Sequence, residues 1–300
     1  MHPVKNWRLV LDIGGLSALA LAYPLFEVLS QSPEFFVARN STTVHVVFLA
    51  GIVCFIVPAL LFGVARIAAR LNASAGTYVH EAILALLVTA MVMTWLNRVD
   101  GLPVWAGISL AIAMGLTFVG GYRRANAMRL FVTALSSAIL VVPVVFLLND
   151  NVRDALGPTA ESFATAELSE TPPIIFIVFD ELPLNSLLDE NYEIDAVRYP
   201  NFSALAAQSH WFRNTTTVSS ETMWAVPALL SGVYPLERGA LPTRRHYPNN
   251  LFTVLSERYN MMVFGPFREL CPPPSCQRDL AVAEETAMKL AADSAIILGH

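Results

Sequence analysis

The sequence contains little charge for its length. Only 14% of its 300 residues are Asp, Glu, Lys or Arg, whereas soluble domains carry about 25%. No basic patch with interleaved aromatic residues is present, and the net charge of −5 argues against nucleic acid as a partner. With 55% hydrophobic residues and a mean hydropathy of +0.52, the composition excludes a wholly soluble chain.

The two halves of the chain differ in the sign of their charge. Residues 1–150 hold 9 Lys/Arg and 6 Asp/Glu, which gives a net charge of +3. Residues 151–300 hold 10 Lys/Arg and 18 Asp/Glu, which gives a net charge of −8. We therefore predict a membrane region over 1–150 and a water-exposed region after it.

Long uncharged stretches in the first half predict membrane-spanning helices, because a helix needs about 20 mostly apolar residues to cross a bilayer core. Residues 40–65 form a run of 26 uncharged residues, 101–122 a run of 22 and 130–149 a run of 20. A fourth stretch becomes long enough when it is extended back to Tyr78, with Glu81 near the head groups. We predict five transmembrane helices, at about residues 8–29, 43–65, 78–97, 102–122 and 129–149.

The first predicted span contains two carboxylates, Asp12 and Glu27. It lacks a clear small-residue cleavage site and four more spans follow it, so we interpret it as a retained helix and not a signal peptide. We expect both carboxylates to lie near the ends of the span, where head groups and water lower the cost of charge. Alternatively, an acidic residue within a span marks a pathway.

The placement of lysine and arginine predicts the orientation, because short loops rich in these residues stay cytoplasmic. With the N-terminus inside, the inner segments carry seven of them, and the outer loops carry only Arg39 and Arg98. Five crossings then place the acidic half outside. We expect an integral protein of the cell (inner) membrane, held in the lipid bilayer, with an extracytoplasmic C-terminal domain.

Cysteine usage is consistent with an oxidising compartment. Cys271 and Cys276 flank a short proline-rich segment of the outer half, and such a loop can bring two Cα atoms within disulfide range. We favour a disulfide, and the alternative is two unpaired thiols. The pair alone is a poor zinc signal, because no second ligand pair accompanies it.

The outer half shows the pattern of an α/β domain. Residues 151–171 are small and polar and are interpreted as a linker. The apolar run 174–179 is typical of a strand buried on both faces of a parallel sheet. Strands alternating with helices follow, which favours an α/β layer architecture. We predict helices beginning near Pro200 and Thr222 and at 250–258 and 283–298, and strands at 211–218 and 261–264.

An acidic pair, Asp180 and Glu181, directly follows the first predicted strand. Ligands usually bind at the carboxyl edge of an α/β sheet, and two carboxylates there are candidate ligands for a hard divalent cation. The alternative is a solvated loop in which one acid caps the next helix.

A hydroxyl-rich segment, 215–222, leads into the helix that begins near Thr222. A threonine hydroxyl at this position is either an N-cap or a nucleophile whose alkoxide a nearby metal stabilises. The helix N-terminus itself favours negative charge.

The order of these motifs resembles the N-terminal part of the sulfatase-like branch of the alkaline phosphatase superfamily. Asp180-Glu181 matches the acidic pair after the first strand, and Pro200 to Ala206 is similar to a Pro-Asn-Leu-x-x-Leu-Ala helix. Leu229, Leu230 and Gly232 match the tail of the sulfatase nucleophile segment, with Thr222 at its cysteine position. The resemblance covers about residues 172–270.

The departures from sulfatases point to a related group. Formylglycine is made from Cys or Ser, so Thr222 cannot supply it. The run from Thr222 to Pro227 looks more like the Thr-x-x-Ser-Val-Pro segment of phosphoethanolamine transferases. Those enzymes, like lipoteichoic acid synthases, have five N-terminal spans and an outer metal-dependent domain with a threonine nucleophile.

The resemblance implies a fold and a chemistry. It implies an alkaline-phosphatase-like sandwich with a mostly parallel central sheet, of which residues 172–300 are the N-terminal part. Thr222 would attack phosphorus, or sulfur, of an envelope phospholipid or glycan ester. Asp180, Glu181 and Thr222 would hold a divalent metal ion (Zn, Mn, Mg or Ca).

One element of the resembled pattern is missing. These enzymes complete the metal site with an Asp-His or Asp-Asn pair and a later His, and none of the six His here follows an Asp. We therefore expect the C-terminal half of the domain to lie in a longer protein. Two alternatives stay open: a sulfuric ester hydrolase, and a non-catalytic sensor or scaffold that retains the fold.

The remaining basic residues of the outer half give weaker signals. We interpret His210 and His246 as packed or surface residues. The cluster Arg244-Arg245-His246 is either a contact for an anionic head group or a solvated loop.

Overall fold

The computed structural model describes residues 6–39, 41–157, 164–167, 169–235, 240–273 and 275–277. These residues fall into two compact units, 6–157 and 164–277. The first unit, called the membrane unit below, is helical. Its α-helices are Asn6–Ser17, Tyr23–Gln31, Glu34–Ala38, Thr43–Gly51, Val57–Leu71, Ala73–Leu96, Val104–Arg124, Asn126–Ala134, Ala138–Leu148 and Asp150–Ala155.

Several of these helices join end to end, so that the described residues contain five stretches long and apolar enough to cross a membrane. The predicted number of spans is confirmed, and the chain is a membrane protein. Span 3 begins five residues earlier than the predicted residue 78, because Asn72 caps its first turn. Spans 1 to 5 are Trp7–Gln31, Thr43–Leu71, Ala73–Leu96, Val104–Arg124 and Asn126–Leu148.

Spans 1 and 2 each contain one π-helical turn, Ala18–Ala22 and Ile52–Ile56. In both spans a proline, Pro24 or Pro58, follows two residues after the turn. A proline has no N–H and its ring crowds the carbonyl four residues earlier. In both spans that carbonyl lies within the π turn, where the wider turn relieves the crowding.

Two clusters of buried apolar side chains form the interior of the membrane unit, and spans 1, 2 and 5 contribute to both. In one cluster Phe26 stacks on Phe146, with ring centroids 4.3 Å apart. Core A includes Ala22, Leu25, Phe26, Leu49, Cys54, Val142 and Phe146. Core B includes Ile13, Leu16, Ala65, Leu84, Leu87, Tyr122 and Val132.

Spans 3 and 4 approach each other closely at Gly115. A Cβ atom there would lie 2.7 Å from the carbonyl oxygen of Ala85 and would collide with the Thr89 hydroxyl. Small residues at such crossings allow helix backbones to pack in membranes. Farther along span 4, Gly120 has open space where its Cβ would be.

This contrast predicts different tolerances to alanine. We expect Gly115→Ala to destabilise the membrane unit by about 1–3 kcal/mol through overpacking, and Gly120→Ala to change its stability little. Thermal unfolding of both purified variants in detergent micelles checks this. Equal melting temperatures for the two variants would contradict the close approach at Gly115.

The second unit, called the outer unit below, has short elements. Two of its helices begin as predicted, at Pro200, which occupies a first helical position, and at Thr222. Gly232, at φ 71°, ends the helix that starts at Thr222. The predicted helix at 250–258 is shorter, and the one at 283–298 lies outside the described residues. The helices are Pro200–Gln208, Thr222–Ser231 and Leu251–Leu255, and the strands are β1, Met261–Met262, and β2, Cys276–Gln277.

Two predicted strands, 174–179 and 211–218, are wrong. Residues 174–179 make no ladder hydrogen bonds in the described structure, and the side chain of Ile175 is 85% exposed. In the second segment, the hydroxyls of Thr215 and Thr217 donate to the nearby carbonyls of Phe212 and Ser219, each at 2.9 Å. Such local bonds compete with sheet pairing.

Sheet structure in the described residues is limited to β1 and β2, which pair in parallel with Met261 opposite Cys276. The central parallel sheet of the expected sandwich is therefore not shown. The predicted linker 151–171 begins with a helical segment, Asp150–Ala155, whose Val152 is buried in core A.

A small core and a disulfide hold the outer unit together. Val226, Leu230, Tyr247 and Leu270 are buried against one another. Cys271 and Cys276 form the expected disulfide, with their Cα atoms 6.1 Å apart. This bond closes the loop that brings β2 beside β1.

Candidate functional site

The candidate site centres on Thr222, the first residue of the helix Thr222–Ser231. Its Oγ1 atom donates a hydrogen bond to Oδ1 of Asp180 at 2.9 Å. The two residues are 42 positions apart in the sequence. The structure thus brings together the threonine and the acidic pair singled out in the sequence, although the strand expected before Asp180 is not formed.

The acidic pair sits on an unusual backbone turn. Glu181 has φ 54°, in the left-handed region that residues other than glycine seldom adopt. Its N–H group donates to Oδ1 of Asp180 at 3.1 Å, so one carboxylate oxygen accepts both this bond and the Thr222 hydroxyl bond. Backbone strain of this kind concentrates at functional sites. The sequence pattern gave no sign of this turn.

Thr222 lies at the start of the helix without a side-chain cap on its first turn. The hydroxyl of Ser219 accepts a hydrogen bond from the N–H of Glu221 at 3.1 Å and fixes the approach to the helix. Because Thr222 is the first residue of the helix and its Oγ1 bonds to Asp180, the alternative in which its hydroxyl is an N-cap does not hold in this structure. The helix N-terminus presents a partial positive charge beside the hydroxyl.

A cavity of about 1070 Å³ opens beside Thr222 and the acidic pair. One side carries the hydroxyls of the segment 215–220, and another carries apolar side chains that the sequence pattern did not identify as part of a site. The described lining residues include no Lys, Arg or His. The apolar part of the lining includes Val178, Phe179, Leu182, Leu229, Val233 and Tyr234.

The residues beside the cavity offer only oxygen atoms to a metal ion. Asp180, Glu181 and Thr222 supply two carboxylates and one hydroxyl, a donor set that suits Mg²⁺, Ca²⁺ or Mn²⁺ better than Zn²⁺. Across the described part of the chain, no three His, Cys, Asp or Glu side chains group as a metal site. The three residues fit a hard cation as a partial ligand set, which needs further ligands or water.

The other basic residues named from the sequence lie away from this cavity. His210 is exposed, with its ring centroid 6.5 Å from that of Phe212. His246 Nδ1 lies 3.1 Å from the Thr243 hydroxyl. Arg244 Nε donates to the carbonyl of Glu269 at 3.3 Å, and burial lowers the pKa of this guanidinium.

Sequence reasoning missed a polar cluster inside the membrane unit. Asp12 was expected near head groups and water, but its side chain is enclosed by spans 1, 4 and 5. Glu81 likewise lies buried and pairs with Arg123. Glu27 differs, because it pairs at 2.8 Å with the exposed Arg98.

The comparisons with known proteins add no family or fold. No family model, curated protein or solved structure matches this chain. The case for the site depends on its residues and geometry.

Proposed function

We propose that the protein is a membrane-anchored, metal-dependent hydrolase or phosphotransferase that acts on phosphate esters of envelope lipids or glycans. The observation that carries this proposal is the 2.9 Å hydrogen bond from Thr222 Oγ1 to Asp180 Oδ1 at the edge of an open cavity. The asymmetry of Lys and Arg between the loops supports an extracytoplasmic outer unit.

Thr222 is the nucleophile of the proposed reaction. Its Oγ1 forms a bond to phosphorus while the bond from phosphorus to the leaving-group oxygen breaks. The hydroxyl proton passes to Asp180, whose Oδ1 already accepts it as a hydrogen bond. The leaving-group oxygen takes a proton from water. Water or an acceptor alcohol then attacks phosphorus of the threonine ester and gives its proton to water, the bond from phosphorus to Thr222 Oγ1 breaks, and Thr222 takes back from Asp180 the proton that it lost.

The charge of the site explains why the proposal includes a metal. The lining carries two carboxylates, and its described residues carry no cationic side chain, so an anionic ester alone would be repelled. A divalent cation, when bound, neutralises the phosphoryl oxygens and favours loss of the hydroxyl proton. Asp180 and Glu181 would hold it, and the N-terminus of the helix Thr222–Ser231 adds fixed positive potential.

Replacement of Asp180 tests this assignment. We expect full-length protein in lipid nanodiscs to cleave an aryl phosphate or a phosphodiester with one of Mg²⁺, Mn²⁺, Ca²⁺ or Zn²⁺. Asp180→Asn removes the proton acceptor and one metal ligand, and should lower kcat/KM by about 10²–10⁴-fold. Steady-state assays with each of these metal ions measure both the metal dependence of cleavage and the loss of kcat/KM in the variant.

Asp189→Asn is the matched control. Asp189 belongs to the same unit, but its carboxylate accepts only local N–H bonds, from Asn191 at 2.8 Å and Glu193 at 3.1 Å. We expect this variant to retain activity. Turnover of sulfate esters alone would instead identify a sulfuric ester hydrolase. No turnover with any metal would favour a non-catalytic membrane sensor or scaffold.

A further inference from the structure

The polar cluster of the membrane unit centres on Asp12, which is only 1% exposed. The hydroxyl of Tyr122 donates to its Oδ2 at 2.5 Å, and the hydroxyl of Thr133 donates to its Oδ1 at 3.1 Å. Both partners are neutral. Within the described residues, no cationic side chain hydrogen-bonds to this carboxyl group.

A second polar side chain, His80 on span 3, lies beside this group. It is 3% exposed, and in the described structure neither of its ring nitrogens has a hydrogen-bond partner. Its ring centroid is 6.1 Å from that of Tyr122, so Tyr122 contacts both His80 and Asp12. Each buried polar atom left without a partner costs about 1–3 kcal/mol, which favours a small polar guest such as water beside the imidazole.

The neighbouring charged groups include one ion pair and one further arginine. Glu81, next to His80 in the chain, accepts two bonds from the guanidinium of Arg123, one of them at 2.8 Å. Arg129 on span 5 donates to the carbonyl oxygens of Tyr122 and Arg123, each at 3.1 Å.

One more charged group lies near Asp12, on the same helix. Arg8 lies one helical turn before Asp12 on span 1 and acts on it through space. Span 2 contributes the apolar Ala65. Among the described residues, the cluster therefore contains a buried carboxyl group whose hydrogen-bond donors are all neutral, and burial makes ionisation of such a group costly. Binding of one proton removes this cost.

We propose that this cluster is a proton-binding site of the membrane unit, in which one proton is taken up either by the carboxyl group of Asp12 or by the imidazole of His80, and Tyr122 lies between the two groups. The proton comes from bulk water, and it forms either an O–H bond on Asp12 or an N–H bond on the free lone pair of His80. No electrons are transferred. Ionisable groups inside membrane spans commonly serve proton pathways, and this site is independent of the chemistry at Thr222.

Infrared difference spectroscopy of the full chain in lipid nanodiscs tests the proposal. Between about pH 4 and 9, a range that allows for the effect of burial on both groups, we expect one protonated-carboxyl band and one imidazole band to change together. The chain has five other histidines, so these two bands are identified as the difference between the spectra of the wild type and of the variants. Asp12→Asn should remove the carboxyl band. His80→Phe should remove the imidazole band and shift the pH at which the carboxyl band changes.

Two further variants keep the result decisive. Glu27→Gln alters the other carboxylate of span 1 and should leave both bands unchanged, because Glu27 pairs with the exposed Arg98. If Asp12→Asn fails to fold, Tyr122→Phe removes the 2.5 Å hydrogen bond while keeping the ring, and should shift the frequency of the carboxyl band. The proposal is overturned if the pH-dependent spectrum of Asp12→Asn equals that of the wild type, or if the carboxyl band does not respond to His80→Phe.

Discussion

Thr222→Ala should abolish the covalent ester and lower turnover by about 10³-fold or more, because the variant lacks the oxygen that attacks phosphorus. The hydroxyl of Thr222 is the only side-chain donor among the described residues that bonds to Asp180. Loss of the methyl group alone should matter much less. Mass spectrometry of protein quenched during turnover would detect the ester, and steady-state assays would measure the rate.

Two control variants show whether a loss of turnover comes from the missing nucleophile or from a changed cavity. Thr222→Ser keeps a hydroxyl at the same position and should retain part of the activity. Thr217→Ala removes another hydroxyl of the same lining, one that donates to the Ser219 carbonyl, and should have little effect on turnover. Full activity of Thr222→Ala would rule out this threonine as the nucleophile, whatever the substrate.

Asn250→Ala should strongly destabilise the outer unit. Asn250 is 2% exposed, and its Oδ1 accepts bonds from the N–H groups of Phe252 and Thr253. Its Nδ2 donates to the carbonyl oxygens of Tyr247 and Leu270. The variant removes a helix cap, worth about 1 kcal/mol, and leaves buried carbonyls unpaired at about 1–3 kcal/mol each.

We therefore expect a loss of about 3–5 kcal/mol in the free energy of local opening around residues 247–273. Hydrogen exchange on the full chain measures this opening segment by segment. Asn249→Ala is the adjacent control, since the side chain of Asn249 makes an exposed bond to the N–H of Ala164 at 2.8 Å. Similar loss of protection in both variants would show that Asn250 has no special role.

The membrane unit was predictable because one physical requirement dominates its sequence. A helix in a bilayer must be long and nearly uncharged, so the lengths of the uncharged runs locate the spans. The outer unit lacks a comparable signal. The run 174–179 has the composition of a buried strand, but a strand forms only when another segment pairs with it, and composition does not show whether such a partner is present.

The candidate site was more predictable than the sheet expected to support it. Asp180 and Thr222 were both identified from the order of motifs along the chain, although they are 42 positions apart, whereas the tight turn at Glu181 was not predicted. The apolar side of the cavity was not predictable, because single residues such as Leu229 and Tyr234 look like ordinary helix and loop positions in the sequence.

The buried polar cluster escaped prediction for a different reason. An acid near the end of a span is compatible with contact to water, and nothing in the local sequence of Asp12 shows that it is enclosed. Its partners, Tyr122 and Thr133, come from spans more than a hundred residues away in the chain. Polar residues on facing helices are the only available signal, and a single sequence does not tell which helices face each other.

The π turns of spans 1 and 2 also govern how these helices tolerate changes of length. Each such turn contains one residue more than an α-helical turn, so it rotates everything after it by about 100° relative to an uninterrupted α-helix. Span 1 uses this offset to present Leu16 to core B and Phe26 to core A. Deleting one alanine from Ala18–Ala22 would leave the hydropathy of span 1 almost unchanged. It would, however, rotate one half of the helix away from the core side chains that it packs against. Single-residue indels in this helix are therefore far more disruptive than substitutions at the same positions.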